Sequence, residues 1–382
     1  METIQKLELR GMSRSFGATN ALNNFNLDVS GGMFVSLLGP SGCGKSTALN
    51  CLAGLLDLTA GEIILNGKPI QHIPAEKRGF GMVFQNYALF PHLNVVRNVS
   101  YGLETGHMPS SELQHRVNWA LDLVHLDRTE FGHRFPAQLS GGQQQRLAIA
   151  RTIALEPNLL LLDEPLSNLD TKLRTEMRIE LKPMHRQLGL TTIYVTHDQS
   201  EAMSLSDLVV VMRKGNIEQI GTPQSIYNCP NSLYVADFMG YSNRIPSKIV
   251  GHEGDEWIVK TEAGLTLRGS TTFEGSAAWV TGDEVLACCR PDEALVGASE
   301  AGNQLSGIVH LVEYVGKGFE LLVRVDSADD VQMLVQSERP IDMERPVKFG
   351  IRPDRLLLFP VETQRSARSL PTATRSPQPA LN

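Results

Sequence analysis

A parallel α/β domain followed by a small all-β barrel is the fold class the sequence predicts, and three observations carry it. Residues 33–38 (MFVSLL) and 159–162 (LLLL) are apolar without alternation, the pattern of strands buried on both faces of a parallel sheet. Helix-period segments intervene up to about residue 240. Past that point only short β-rich runs separated by turn residues remain.

The first strand-like run leads into Gly39, Pro40, Ser41, Gly42, Cys43, Gly44, Lys45 and Ser46, which fit G-x-x-x-x-G-K-[ST], with Thr47 next. Residues 48–55 (ALNCLAGL) read as a helix, so the pattern has the strand–loop–helix setting it needs. The glycines let backbone N–H groups turn inward around a polyphosphate, and the helix N-terminus adds its positive dipole end. In such a loop Lys45 reaches the β- and γ-phosphates and the Ser46 hydroxyl can ligate Mg²⁺. Cys43 lies close to Lys45, whose charge is expected to lower its pKa, so thiol alkylation should block nucleotide binding.

Residues 85–103 mix aromatics, Pro91 and polar groups and read as neither a clean helix nor a clean strand. Leu139, Ser140, Gly141, Gly142 and Gln143 head a helix-period segment at 145–155 (QRLAIARTIAL). Their small side chains permit close approach to a phosphate, while Ser140 and the helix N-terminus supply donors. Four leucines then deliver Asp163 and Glu164 to the C-terminal end of a strand, the edge at which open α/β sheets bind ligands. Asp163 would hold Mg²⁺ through water and Glu164 would orient or deprotonate an attacking water. Residues 172–188 follow a helical pattern interrupted by Pro183, which predicts a bent helix or two shorter ones. Residues 191–196 (TTIYVT) read as the next strand, bringing His197 to the same edge, where an imidazole can donate to a γ-phosphate near neutral pH.

Taken together, residues 5–240 resemble the ATP-binding subunit of an ATP-binding-cassette (ABC) transporter: a P-loop α/β ATPase domain with a helical signature subdomain. By that resemblance Phe16 stacks on adenine, and Gln85 reaches the metal and water and senses a membrane subunit. The pentad 139–143 resembles the signature that acts in trans on ATP held by the partner chain. Residues 167–170, with Ser167 and Asp170, resemble the loop that crosses the dimer interface, and His197 resembles the histidine at the γ-phosphate. The family implies a homodimer in which a monomer binds ATP but hydrolyses it poorly. It also implies permease subunits that dock near residues 85–103 and, indirectly, an extracytoplasmic solute-binding protein.

The runs 256–260, 284–289, 307–315, 319–325 and 356–359 predict a small OB-like barrel over 241–360. Arg290-Pro291-Asp292 and Arg352-Pro353-Asp354 form a faint internal echo. This region resembles the two-halved accessory (TOBE-like) barrel of a subset of ABC importers. With 12 Lys+Arg against 19 Asp+Glu it opposes nucleic-acid binding, which needs a basic groove. Residues 361–382, rich in Ser, Thr, Pro and Arg, read as a disordered tail.

The whole chain carries 35 Lys+Arg and 42 Asp+Glu. No apolar run approaches the roughly 20 residues that span a bilayer, and the N-terminus lacks a secretory pattern. The chain is therefore expected in the cytoplasm, held at the inner face of the membrane through the permease. Its five cysteines show no metal-ligand spacing. A soluble ABC ATPase acting on DNA or the ribosome is the reading from another class. The former carries a long coiled coil between phosphate loop and signature, and the latter two cassettes, whereas this chain has one cassette and no such insertion. Residues 221–240 resemble subunits serving polyamine, ferric-iron and phosphonate uptake, with polyamine preferred.

Overall fold

The computed structural model describes residues 4–106, 108–272, 279–298, 300–328 and 330–361. The chain divides into two compact units at Ile226/Tyr227. In the first unit, β1 (Lys6–Phe16), β2 (Thr19–Ser30), β4 (Ala60–Leu65) and β5 (Lys68–Pro69) form an antiparallel sheet in the order β2-β1-β4-β5. Phe25, Leu27 and Val29 alternate with exposed residues along β2, as one-sided burial requires.

The second sheet is built differently. Strands β3 (Phe34–Leu38), β6 (Phe80–Val83), β7 (Leu159–Asp163), β8 (Thr191–Thr196), β9 (Leu208–Arg213) and β10 (Asn216–Gly221) take the order β10-β9-β3-β8-β7-β6. All neighbours are parallel except β9 and β10. Along β7, Leu160 and Leu162 enter one core, with Tyr194 and the helical residues Leu147 and Ile149. Leu159 and Leu161 enter the other, with Ile193, Val195 and β-sheet residues such as Leu7 and Phe25. A strand flanked by two cores has no room for alternation, which is why it reads as an unbroken apolar run. The register pairs Leu38 with Thr196 and Asp163 with Val195, so the C-terminal ends of β3, β7 and β8 line up at one edge.

Helix α1 (Lys45–Ala53) follows the phosphate loop, and α2 (Val95–Thr105), α3 (Ser110–Leu123), α4 (Arg128–Phe131) and α5 (Gly141–Ile153) form the helical subdomain. The stretch with no clean periodicity contains α2, whose start is fixed by Asn94 accepting from the Arg97 N–H. Helix α6 (Thr171–Leu188) runs through Pro183 as one element. Pro183 lines a cleft of about 720 Å³ together with Trp119 and Met184, and none of the predicted site residues lines that cleft. Helices α7 (Gln199–Leu205), α8 (Pro223–Asn228) and α9 (Leu233–Phe238) complete the α-helices of the described residues.

The second unit begins earlier than the composition indicates. The Arg290 guanidinium stacks on Tyr227 and Tyr241 at 4.0 and 4.7 Å and donates to the Tyr227 carbonyl at 3.0 Å. This buried cation ties the segment around α9 to the barrel, so the boundary read at 240 falls inside the second unit. The tail read from the sequence falls at residues 362–382, outside the described residues.

The β-rich part of the second unit consists of two halves, a five-stranded sheet and a closed barrel, that exchange their last strands. The first comprises β11 (Asn243–Glu253), β12 (Glu256–Lys260), β13 (Thr266–Gly269) and β14 (Glu284–Cys289), followed by β15 (Leu295–Val296). The second comprises β16 (Asn303–Tyr314), β17 (Phe319–Val325), β18 (Gln332–Ser337) and β19 (Pro346–Ile351), followed by β20 (Leu357–Pro360). Within each half the pairings match, but β20 adds to the first sheet beside β14, while β15 closes the second into a barrel between β18 and β19. The two Arg-Pro-Asp echoes mark the exchange points: each opens a single 3₁₀ turn between the fourth strand of a half and the strand it lends.

Two buried asparagines secure the exchange. Asn303 accepts from the Arg268 N–H and donates to the Arg268 carbonyl of β13, both at 2.7 Å. Asn243, at the matching position of the other half, does the same to Leu334 of β18 at 2.7 and 2.8 Å. Asn303→Ala would leave both Arg268 backbone groups unpaired. It should lower barrel stability by about 2–4 kcal/mol, read as a reduced urea midpoint for amide exchange in β13. An unchanged midpoint would show that Asn303 is dispensable.

Candidate functional site

The phosphate loop is held in shape by close backbone approaches. Gly44 has φ 105°, and a Cβ there would lie 2.4 Å from the Ala21 carbonyl of β2, so only glycine fits. Lys45 is 4% exposed, and its ammonium donates to the Gly39 and Pro40 carbonyls at 2.8 and 2.9 Å. The sequence places Lys45 next to Cys43 and predicts an acidified thiol. The structure reverses this, because burial pushes the Cys43 thiol up and the Lys45 charge offsets only part of the shift. A charge two residues away is visible in a sequence; the desolvation of the sulfur is not.

At the ends of β3, β7 and β8 the predicted acid, hydroxyl and imidazole groups meet. Ser46 donates to Asp163 Oδ1 at 2.8 Å. Burial raises the pKa of the Asp163 carboxyl against the Ser46 hydrogen bond, the Glu164 charge raises it further, and Lys45 lowers it. Glu164 adopts φ 43°, unusual for a residue with a side chain, and its N–H donates to the Val195 carbonyl at 3.1 Å. That turn aims the carboxylate at the next strand, and Glu164 Oε2 lies 3.2 Å from His197 Nδ1. Gln85 Nε2 donates to Ser167 Oγ at 3.4 Å, and the Ser167 hydroxyl donates to the Glu164 carbonyl at 2.9 Å. Residues from four separate stretches of sequence, at 46, 85, 163–167 and 197, thus form one connected group.

Residues 139–143 have a structural duty within their own chain. Ser140 caps α5, accepting from the Gln143 N–H at 3.4 Å, while the Gln143 side chain accepts from the Ser140 N–H at 2.9 Å. A Cβ on Gly141 would meet Leu169 at 3.1 Å, and one on Gly142 would meet Leu173 at 2.9 Å. These glycines therefore seat the crossing loop and α6 within the same chain, besides leaving the helix end open. Asp170 caps α6, accepting from the Leu173 N–H at 3.0 Å. Phe16 is 46% exposed at the end of β1 with the Arg14 guanidinium 4.7 Å from its ring, and no hydrogen bond joins the signature to the phosphate loop among the described residues.

Sequence reasoning missed the contacts that connect these parts. Asn168 donates to the Gln85 carbonyl at 2.7 Å. Arg151 of the signature helix donates to the carbonyls of Tyr87 and Ala88 at 3.0 and 2.7 Å, holding two consecutive residues with positive φ. Asn168 lies in the loop 167–170 and Arg151 in the helix-period segment 145–155, both read from the sequence, but the partner of each side chain is set by the fold alone.

Comparison with known proteins matches residues 22–167 to the ABC transporter family and residues 287–359 to the TOBE domain. The chain is 44% identical over 328 residues to the spermidine/putrescine import ATP-binding protein PotA of Oleidesulfovibrio alaskensis, covering 85% of this chain and 86% of that one. It is 42% identical over 343 residues to the Fe(3+) ions import ATP-binding protein FbpC of Brucella abortus, covering 89% and 94%. Among solved structures, the dimeric structure of a bacterial ABC transporter cassette aligns with TM-score 0.52 and 33% identity, over 57% of this chain and 98% of that one. CbiO1 of Clostridium perfringens, part of the ABC transporter complex cbiONQ, aligns with TM-score 0.54 and 30% identity, over 59% and 91%.

Burial raises the thiol pKa of Cys51 to about 11 and those of Cys288 and Cys289 to about 12, whereas Cys229 is exposed. Iodoacetamide at pH 8 should therefore label Cys229 first and leave nucleotide binding intact. Mass spectrometry of the labelled chain checks this, and Cys43 modified ahead of Cys229 would overturn the reading.

Proposed function

The chain belongs to the ABC transporter family as the ATP-binding subunit of an importer, and from that premise we propose how its residues divide the work. The observation that carries the proposal is the pairing of Glu164 with His197 beside the Ser46–Asp163 contact, at one edge of the parallel sheet. The loop 39–47 wraps the phosphates of ATP and Phe16 stacks on its adenine. Lys45 exchanges its two backbone acceptors for the β- and γ-phosphate oxygens. Ser46, Asp163 and Gln85 offer the oxygen donors that Mg²⁺ prefers, and the ion would neutralise phosphate charge there.

Glu164 orients or deprotonates the water whose oxygen attacks the γ-phosphorus as the bond to the β-phosphate oxygen breaks, and His197 donates to the γ-phosphate. The signature residues 139–143 complete the site of a second copy across the dimer, with Ser167 and Asp170 on the loop between the two. Phe84, next to Gln85 in the chain, and Tyr101, whose ring packs on Phe90, are large side chains left exposed, and they supply a surface for a permease subunit. Among the described residues no helix is long and apolar enough to cross a membrane, which fits attachment through that partner. An extracytoplasmic solute-binding protein would deliver the cargo.

We propose a polyamine, spermidine or putrescine, as that cargo. Ferric iron is the second reading, supported by the comparable similarity to FbpC. Glu164→Gln should lower ATP turnover at least about a hundredfold while retaining ATP binding, the loss expected for a general base. Uptake of labelled putrescine, spermidine, ferric iron and 2-aminoethylphosphonate by cells carrying wild type or Glu164→Gln identifies the cargo as the one solute lost. Undiminished uptake of both polyamines would eliminate the polyamine assignment.

A further inference from the structure

The backbone on either side of His197 is pinned by a network that the chemistry above does not use. Glu201 of α7 is 3% exposed, and its Oε2 accepts from the Tyr194 and Thr196 hydroxyls, both at 2.7 Å. The Thr196 hydroxyl accepts from the Asp198 N–H at 2.9 Å, and Asp198 accepts from the Glu201 N–H at 3.1 Å. His197 sits between these two anchored residues.

One side chain outside this network reaches both it and the crossing loop. Arg174, on the first turn of α6, donates from Nη2 to the Leu169 carbonyl at 3.1 Å. Its Nη1 lies 3.5 Å from Asp198 Oδ2 and its Nε 3.9 Å from Glu201 Oε1. A planar guanidinium spreads its donors and charge over a fork that reaches the carbonyl and both carboxylates from different sides, whereas a lysine ammonium concentrates its three donors at one point. The crossing loop is tied to Gln85 by the adjacent residue, Asn168.

We propose that Arg174 is a positioning residue for His197, making the crossing loop and the His197 segment move as one body when a second cassette docks. Partner docking then sets the imidazole, so turnover responds to assembly through a side chain that belongs to neither the phosphate loop nor the signature. The inference rests on the reading of His197 given above, and the experiment separates the two.

Full-length Arg174→Gln, Arg174→Lys, Asp198→Asn and His197→Ala are compared with the parent chain for kcat, ATP dissociation constant and thermal midpoint. Arg174→Gln should lower kcat on the order of tenfold, the cost of a slightly misplaced catalytic group, with ATP affinity and midpoint unchanged. Arg174→Lys should recover part of that loss. Asp198→Asn, which can still accept from the Glu201 N–H, should match Arg174→Gln, and the double variant should be no worse than either. The inference is overturned if Arg174→Gln keeps the parent kcat while His197→Ala loses it. It is also overturned if kcat, ATP affinity and midpoint fall together, the signature of a merely structural residue. Full activity of His197→Ala would remove the premise and the inference alike. Should Arg174→Gln not fold, Asp198→Asn alone decides, with selective loss of kcat sustaining the inference and parent kcat overturning it.

Discussion

The in-register parallel pairing of β3, β7 and β8 is the constraint on which the first unit depends. Each strand ends beside residues to which the proposed function gives a role: Leu38 before the glycine-rich loop, Asp163 before Glu164, Thr196 before His197. Parallel strands can be neighbours only through crossovers that return over a face of the sheet, so the intervening sequence must supply covering layers. It does so on both sides, and the central strands are buried on both faces. The apolar runs that make the sheet stable and the carboxylates that follow them are therefore consequences of one arrangement.

Residues that read as functional in the sequence also carry packing duties. Gly141 and Gly142 accommodate leucines of the crossing loop and α6, and Ser140 with Gln143 closes the start of α5. Asp170 caps α6 and Lys45 braces its own loop. Substitutions in this region consequently alter geometry and chemistry together, and turnover alone does not apportion the two.

The sequence disclosed most where local pattern and tertiary demand coincide. Strands β7 and β8 and the phosphate loop were legible because burial on both faces and tight backbone turns leave marks on residue choice. Helix α2 was hidden by Pro91 and the aromatics ahead of it, since its signal starts only at Asn94. Strand β11 was missed because its buried face includes Asn243 and Ser247, polar residues that mask the alternation. Arg151 and Arg174 act across long separations in the chain, Glu201 folds back from a helix onto the strand before it, and the bonds they make have no linear signature. The Cys43 thiol went the other way from expectation because its burial depends on neighbours folded around it.

The exchange of final strands in the barrel has a consequence for biosynthesis. Val285 pairs with Pro360 and Leu286 with Phe359, so the first sheet lacks its outer strand until the last described residues of the unit have been translated. The first half can emerge from the ribosome long before it can finish its own sheet, and β14 spends that interval as an unprotected edge. Such delayed, long-range closure is slow because the intervening loop must be ordered first. A nascent chain halted after β15 would have lent a strand without receiving one.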